Sequence, residues 1–562
     1  MNSPLPGKPL VWSPMGASDT LDSSTAPQGA MASLQNLIPD PTTKNLWQCR
    51  PAAALLANLA TNTLGNAFSS GFSSGFSSGT AGIFPGATFI SCFKVVGTRI
   101  YGMVSVGAPF AGQDVPFAYD IPSATFIAIT GVTIANTPTS PATTGAWIPP
   151  NIDLVGSKLI VAHPGFTGAA GAFFGVLNIL NPAAPTWTAQ NTTTNALVAP
   201  PQWVQNFNGR CFFLVNPPGA QPGAYMSDQL NPTVITNATQ ILTFGDNVPL
   251  TAAVGLPLEN QLGGIIQSLM VFKDATNVYQ VTGDFSLGNL AVNSLNVATG
   301  TKAANTIQAT AKGLMFVAPD GVRLIDFEAR VSDPIGIDGD GITVPFINAL
   351  TPSRMCASYN SGVYRVQVQN GAALGSPQQQ WWFDLVRKVW SGPHTQSASL
   401  MAAYAGSFIV TQQAAGATLW QSDIVQSSSS TFVENSIQLT WQWNTPMLPD
   451  TDEMSEVAMI ETTLYMALVT GNPVSVAIQD QNGTVLDSVI ITPTGSSTLW
   501  GIFTWGQALW QGVANALFPR PLGWHFPIVF RRMGVVASGN SANGFKIGRM
   551  HLRYQVLGYL QQ

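Results

Sequence analysis

The stretch Val96-Gly97-Thr98-Arg99-Ile100-Tyr101 joins a glycine turn to the start of an apolar run rich in β-formers. Similar stretches return about every fifty residues along the chain. The later copies begin at Val155, Asn208, Ser268, Lys312, Asn360 and Ala405. A small sheet cannot bury both of its faces alone, so repeats of this length favour four-stranded blades stacked around an axis. The pattern predicts an all-β protein built on a β-propeller of six or seven blades.

Two copies show how a single unit is built. The runs Pro116-Phe117-Ala118-Tyr119-Asp120 and Gln380-Trp381-Trp382-Phe383-Asp384 both end on an aromatic residue followed by aspartate. An aspartate in such a turn accepts hydrogen bonds from backbone amides, and a later large residue such as Trp390 fills the wedge between blades. The seventh copy, about 398 to 425, resembles half a blade. Propellers often complete the last sheet with a strand from the other end of the repeat region, which leaves both blade counts open.

Changes in composition divide the chain into three regions. Residues 1–85 are rich in Pro, Gly and Ser and are predicted to form an extended arm without a core of its own. Within the arm, residues 51–60 are the best candidate for a short helix. Residues 86–430 hold the repeats. Residues 431–562 are predicted to form a β-sandwich-like domain, because residues 436–443 alternate and an Asn482-Gly483 turn joins two strand-like runs.

The composition favours a protein that assembles with copies of itself. Only 9% of residues are charged, whereas 46% are hydrophobic, and the net charge is −5. A surface with so few charges is poorly protected against association, which predicts a permanent homo-oligomer; a secreted β protein is the alternative. Prolines and glycines interrupt the uncharged stretches 51–93 and 159–209, so no membrane span is predicted. The N-terminus has no basic region followed by an apolar core, and no Sec export is expected.

No motif predicts catalysis or a cofactor. Cys49, Cys92, Cys211 and Cys356 are far apart and lie in or beside apolar runs, so all four are predicted to be buried free thiols. The four histidines lack the spacing of a zinc site. The runs 71–75 and 75–79 match a serine-hydrolase elbow only because a Gly/Ser tetrapeptide repeats, and 337–341 lacks the later ligands of a calcium loop. The protein is therefore predicted to be neither an enzyme nor a cofactor carrier.

The charges of the C-terminal region are unevenly distributed. An acidic cluster comprises Asp450, Asp452, Glu453, Glu456 and Glu461. After Asp487 there is no acidic residue, while six bases follow: Arg520, Arg531, Arg532, Lys546, Arg549 and Arg553. These two sets are candidates for contacts between subunits or with a ring partner, or the bases for contacts with DNA phosphates. The alternative is a solvated face on which the two sets pair within one domain.

Four segments of this chain resemble the tail nozzle proteins of short-tailed bacteriophages, also described as tail hub or packaged-DNA stabilisation proteins. The segments are residues 313–323, 331–335, 381–390 and 440–446. The resemblance spans about residues 90 to 460. The N-terminal Gly/Ser tract and residues 490–562 match no part of that family's pattern.

The resemblance implies a structural virion protein, assembled in the host cytoplasm. It implies a propeller-bearing ring subunit, usually a homohexamer, attached to the adaptor ring below the portal. Double-stranded DNA would be held in the ring lumen and ejected through it without sequence specificity, and tail fibres or spikes would dock outside. The alternative function is a carbohydrate-binding or carbohydrate-cleaving propeller, on the virion or secreted. A cleaving enzyme requires a pair of carboxylates positioned for acid/base work.

Overall fold

The fold is taken from a computed structural model that describes most of the chain. The described residues are 8–12, 16–17, 30–41, 43, 45–60, 84, 86–107, 110–141, 148–168, 171–259, 264–284, 289–295, 298–335, 346, 351–369, 376, 378–412, 416–422, 432–434, 437–447, 455–469, 471–480, 482–492, 518–524, 529–530, 532–542 and 544–559. Across these ranges the fold is almost entirely β, with short 3-10 turns at Ile134–Asn136, Ala304–Thr306 and Pro352–Arg354. No helix in these ranges is long and apolar enough to cross a membrane.

Short strands precede the repeats. They are β1 (Lys8–Trp12), β2 (Gly16–Ala17), β3 (Ala30–Met31), β4 (Ser33–Gln35), β5 (Leu37–Pro39), β6 (Trp47–Cys49) and β7 (Ala54–Asn58).

The first three repeats each form an antiparallel four-stranded sheet, called a blade here. Blade 1 has β8 (Phe89–Val96), β9 (Arg99–Val106), β10 (Gln113–Asp120) and β11 (Thr125–Phe126). Blade 2 has β12 (Asn151–Val155), β13 (Lys158–Ala162), β14 (Phe174–Asn178) and β15 (Thr186–Gln190). Blade 3 has β16 (Trp203–Phe207), β17 (Arg210–Val215), β18 (Gly223–Met226) and β19 (Ile241–Thr243).

Blades 4 and 5 depart from the simple pattern. Blade 4 has β20 (Leu250–Gly255), β23 (Leu269–Lys273), β24 (Asn277–Asp284) and β25 (Asn289–Ser294), and between its first two strands lies a hairpin of β21 (Leu258–Glu259) and β22 (Ile265–Ile266). Blade 5 has three described strands, β26 (Gln308–Thr310), β27 (Gly313–Ala318) and β28 (Gly321–Ile325). Residues 331–335 lie along the outer edge of β28, where Ser332 and Ile335 donate backbone hydrogen bonds to Leu324 and Val322.

Blades 6 and 7 complete the repeat region. Blade 6 has β29 (Cys356–Asn360), β30 (Val363–Gln369), β31 (Gln378–Asp384) and β32 (Val389–His394). Blade 7 has β33 (Leu400–Tyr404), β34 (Ser407–Gln412) and β35 (Thr418–Ser422), with β7 as its fourth strand.

The blades close into a ring. The first strand of every blade, from β8 to β33, contributes residues to one central cavity. The strand β33 of blade 7 packs against β8 of blade 1, which joins the two ends of the repeat region. The predicted β-propeller is therefore confirmed. Each sequence repeat marks the turn into, or the start of, the second strand of a sheet, so every blade begins one strand earlier than its repeat.

The N-terminal region completes the ring, and the predicted helix is wrong. Residues of β7 pair antiparallel with β35, with Ala57 opposite Leu419 and Leu55 opposite Trp420. The outer edge of β35 offers unpaired backbone groups, and pairing with them outweighs the intrinsic helix propensity of an alanine-rich run. The seventh copy therefore supplies three strands of its blade, and a strand from the N-terminal region supplies the fourth.

The C-terminal region is a sandwich that also takes strands from the beginning of the chain. Its strands are β36 (Val433–Glu434), β37 (Ile437–Gln438), β38 (Thr440–Asn444), β39 (Ser455–Ala467), β40 (Val474–Asp480), β41 (Val485–Ile491), β42 (Phe518–Leu522), β43 (Val529–Phe530), β44 (Met533–Asn540) and β45 (Lys546–Tyr559). One sheet runs β4-β38-β44-β40-β41. The other runs β42-β39-β45-β6-β5, with β1 on β45 and β43 on β39. The predicted hairpin at Asn482-Gly483 is β40–β41.

Part of the N-terminal region is buried in the core of the sandwich, which the prediction of an extended arm did not include. Leu34, Leu37, Trp47 and Cys49 are buried in the same apolar cluster as Trp441 and Trp443 of the sandwich. These residues have no core alone, but the edges of β38 and β45 leave room for additional strands. The N-terminal region is therefore an integral part of both the sandwich and the propeller.

A buried polar network joins the three regions. Arg50 forms an ion pair with Glu434 at 3.1 Å, and its Nε donates to Asn36 Oδ1 at 2.8 Å. The backbone N–H of Asn36 donates to His394 Nδ1 at 3.1 Å, and its side-chain amide donates to the carbonyl of Thr440 at 2.7 Å. Since these residues come from the N-terminal region, blade 6 and the sandwich, the network fixes the two folded units against each other.

The predicted structural residues lie where the sequence placed them. Asp384 Oδ1 accepts hydrogen bonds from the backbone amides of Val386 and Arg387, both at 2.9 Å. The Trp390 side chain is fully buried. All four cysteines are free and buried. Burial raises the pKa of Cys49 to about 12, which makes it unreactive at neutral pH.

Candidate functional site

The central cavity of the propeller is the first candidate for a binding or catalytic site. It has a volume of about 370 Å³. Its polar lining residues among those described are Lys94, Asn151, Asp153, Gln205, Asn305, Gln308 and Ser358. The volume falls within the range of small-molecule sites.

The carboxylate of Asp153 is held by hydrogen bonds from three blades. Its Oδ1 accepts from Lys94 Nζ of blade 1 at 2.7 Å and from the backbone N–H of Leu154 at 2.9 Å. Its Oδ2 accepts from Gln205 Nε2 at 3.2 Å and from the backbone N–H of Asn206 at 2.6 Å, both on blade 3. With four donors at its two oxygens, Asp153 joins the inner strands of blades 1, 2 and 3.

This arrangement is suited to a structural role. Asp153 is the only carboxylate among the described residues that line the cavity. A glycosidase needs two carboxyl groups on opposite sides of the scissile bond, and one of them must hold or accept a proton. The described part of the cavity thus offers a polar recess without acid/base machinery.

The sequence did contain a signal for this group. Lys94, Asp153 and Asn206 each lie three residues before the turn glycine of their repeat, at Gly97, Gly156 and Gly209. Charged residues at the same inner-strand position of neighbouring repeats indicate a contact between blades. An alignment of the repeats by their turn glycines would have predicted the pair.

A second buried group combines histidine, aspartate and serine. His163 Nε2 lies 2.8 Å from Asp114 Oδ2, and its Nδ1 accepts from the backbone N–H of Gly165 at 2.9 Å. Ser105 and Ser140 donate to Asp114 Oδ1 at 2.5 Å and 2.7 Å. Burial would raise the pKa of Asp114, but the hydrogen bonds from His163, Ser105 and Ser91 outweigh it and lower that pKa.

The histidine group does not form a nucleophile. In a catalytic triad the serine bonds the imidazole, whereas here both ring nitrogens of His163 have other partners and the serines bond the carboxylate. His163 and Asp114 are completely buried. The group therefore joins blades 1 and 2. No sequence signal identified it, since Asp114 and His163 occupy unrelated positions in their repeats.

The other motifs give no site. The elbow-like runs 71–79 and the calcium-like run 337–341 lie outside the described residues. Among the described residues no group of three or more His, Cys, Asp or Glu side chains could hold a metal ion.

Several of the C-terminal bases contact groups of their own chain. Lys546 Nζ lies 2.7 Å from the buried Asp40 Oδ2. Arg553 lies 3.6 Å from Glu461 on the neighbouring strand, and both side chains are about half exposed. Arg549 is exposed and stacks over the ring of Tyr465 at 4.5 Å.

The remaining charged candidates are only partly described. Arg520 lies on β42 opposite Leu464, and Arg532 comes directly before β44. Glu456 lies on β39 opposite Gly558. Arg531, Asp450, Asp452 and Glu453 lie outside the described residues. Among the described residues, Arg553 of the basic set therefore pairs with Glu461 of the acidic cluster. Lys546 pairs instead with Asp40 of the N-terminal region.

Comparisons with known proteins give no family. No family model and no curated protein matches the chain. Among solved structures, the chain is similar to Raptor of Chaetomium thermophilum with 7% identity and a TM-score of 0.35, over 61% of this chain and 28% of Raptor. It is similar to BamB of Moraxella catarrhalis with 11% identity and a TM-score of 0.32, over 60% and 84% of the two chains. It is similar to xyloglucan PUL GH43B of Bacteroides ovatus with 10% identity and a TM-score of 0.27, over 84% and 98%.

Proposed function

We propose that this protein is a structural subunit of a tail nozzle ring in a short-tailed phage. In this role several copies surround a lumen that holds packaged double-stranded DNA and lets it pass during ejection. The resemblance of residues 313–323, 331–335, 381–390 and 440–446 to that family motivates the proposal. Three of these segments lie on the β27–β28 hairpin, the β31–β32 hairpin and strand β38.

The observation that carries the proposal is the state of the central cavity. Its single described carboxylate, Asp153, is saturated with hydrogen bonds. This favours a non-catalytic protein over the alternative of a carbohydrate-cleaving propeller.

The size of the cavity adds a constraint on any DNA channel. At about 370 Å³ the cavity suits a small molecule, not a duplex. If DNA passes through this protein, the passage must lie between subunits. The net charge of −5 agrees with a lumen that does not grip the phosphate backbone, because strong phosphate binding would slow the passage of DNA.

Native mass spectrometry of the purified protein, with and without its adaptor ring, tests the proposal. A closed cyclic oligomer, most simply a hexamer, is expected in at least one of these samples, and electron microscopy of virions should place it at the tail. A protein that stays monomeric in both samples and is missing from virions would contradict the proposal. A glycosidase assay of the wild type and of the Asp153→Asn variant tests the alternative function. A carbohydrate-cleaving propeller requires that the wild type be active and that this substitution remove the activity.

A further inference from the structure

The outer face of the five-stranded sheet of the sandwich contains a groove that the proposed function does not use. The groove has a volume of about 420 Å³. It is lined by residues from all five strands and their ends: Gln35, Thr440, Trp441, Gln442, Pro473, Ser475, Ile490, Ser538, Gly539 and Asn540. Register pairs run directly across the sheet, from Gln35 to Gln442, Gln442 to Ser538, Ser538 to Ser475 and Ser475 to Ile490.

The polar side chains of the groove have unused hydrogen-bonding capacity within the described part of the chain. Those of Gln35, Thr440, Ser475, Ser538 and Asn540 make no hydrogen bond to another described residue. The amide of Gln442 is oriented by its bond from Nε2 to Asn444 Oδ1 at 2.9 Å. This differs from the central cavity, where the polar group Asp153 is fully bonded.

The chemistry of the lining selects the class of ligand. None of the described residues that line the groove carries a charge, so an ionic ligand finds no counter-charge there. An apolar ligand would cover hydroxyl and amide groups without pairing them, which is unfavourable. A neutral ligand with many hydroxyl groups both donates to and accepts from these side chains. Ile490, a residue that is 68% exposed, and Pro473 offer an apolar wall for the C–H face of a sugar ring.

We propose that this groove binds a neutral oligosaccharide. The site lies on the sandwich and is separate from the propeller cavity, and its occupation does not depend on whether the protein forms a ring. In this proposal the ligand contacts come from the amides of Gln442 and Asn540 and from the hydroxyls of Ser475 and Ser538.

The test uses the full chain and a panel of neutral oligosaccharides of three to six glucose, galactose or N-acetylglucosamine units, with sulfated and sialylated versions as comparators. Binding is measured by isothermal titration calorimetry and by a glycan array. We expect at least one neutral oligosaccharide to bind, and the double variant Gln442→Ala with Asn540→Ala to lose at least tenfold in affinity. Gln479→Ala, on the same face but outside the groove, is the matched control and should bind like the wild type.

The binding results test the groove as a glycan site whether or not the protein forms a ring. Thermal unfolding of each variant checks that the fold is retained. Failure of every neutral oligosaccharide to bind, equal binding by the double variant, or an equal loss in Gln479→Ala would overturn the groove as a glycan site. Disulfide formation between copies of a Ser475→Cys variant, together with no glycan binding by the wild type, would overturn it as well and would assign the face to a second copy of the chain. Ring formation, scored by native mass spectrometry of the same samples, can fail or succeed without affecting these results.

Discussion

The propeller and the sandwich are both β-structures, but they are assembled from the chain in opposite ways. Five of the propeller blades are built from described strands that follow one another directly in sequence, and in blade 4 a short hairpin separates the first two strands. The sandwich instead places β1, β4 and β6 beside strands that lie more than 380 residues later, as in the pairing of Trp443 with Leu34, and β5 joins the same sheet by pairing with β6. Blade 7 resembles the sandwich in this respect, because its fourth strand, β7, comes from a distant part of the chain. Local sheets can be recognised from a repeat, whereas a sheet closed by distant strands cannot.

Removal of residues 1–60 should cause the largest loss of stability, in both the propeller and the sandwich. It deletes the fourth strand of blade 7 and four strands of the sandwich, and it exposes the edges of β35, β38 and β45. Because the arm carries buried core residues, we expect loss of soluble, cooperatively folding protein, measured by calorimetry and size-exclusion chromatography. Removal of residues 1–7, which precede the first described strand, is the control. A soluble variant lacking 1–60 with an intact propeller transition would show that the two regions fold without the arm.

The substitution Trp390→Ala tests a core that is local to the propeller. The indole is fully buried, contacts Phe383 at a ring distance of 5.0 Å and donates from Nε1 to the carbonyl of Ile335 at 2.7 Å. Loss of these contacts leaves a cavity between blades 5 and 6, and we expect a decrease of about 3 to 5 kcal/mol in the free energy of unfolding. Val386→Ala, at a side chain that is 83% exposed, is the control. Equal unfolding midpoints for the two variants would contradict the role of Trp390 as a wedge between blades.

These two predictions also show what the sequence could and could not supply. The turn glycines, the aromatic–Asp pairs and the position of Trp390 could be predicted because each lies within a single sequence repeat. The helix proposed for residues 51–60 was wrong because the partner of β7 lies more than 350 residues away, and no local signal reports it. The Lys94–Asp153 pair lay within reach of an alignment of the repeats. The hydroxyl and amide groove could not be predicted, since its residues come from five strands in four distant parts of the chain.

Acid should weaken the junction between the two regions. Burial, together with the nearby charges of Arg50 and Arg365, lowers the pKa of His394 well below its usual value of 6.5. The unfolded chain therefore binds a proton at this residue that the folded protein rejects, so stability is complete above about pH 6.5 and decreases as the pH falls. We expect a loss of at most about 1.4 kcal/mol per pH unit from this group.

The variant His394→Gln removes the titrating group while it keeps a polar side chain of similar reach. Its stability should be lower than that of the wild type at pH 8, but its pH dependence between 6.5 and 5 should be flatter. Urea denaturation at several pH values gives both quantities. An unchanged slope in the variant would mean that another group controls the acid sensitivity.

The smallest effect on stability is expected at the exposed pair of Arg553 and Glu461. The pair joins β45 to β39 within the sandwich, and an exposed ion pair contributes only about 0 to 1 kcal/mol. Arg553→Glu should therefore leave the monomer folded.

If the base acts only inside its own chain, the exchange Arg553→Glu with Glu461→Arg restores the pair and every property of the wild type. If Arg553 instead contacts a neighbouring subunit or DNA, the exchanged protein keeps its stability but still assembles or retains genome poorly, in a salt-dependent way, because the partner's charge has not changed. Unfolding by urea, native mass spectrometry and genome retention, measured on the single and exchanged variants, separate a charge that holds the sandwich together from one that holds subunits together.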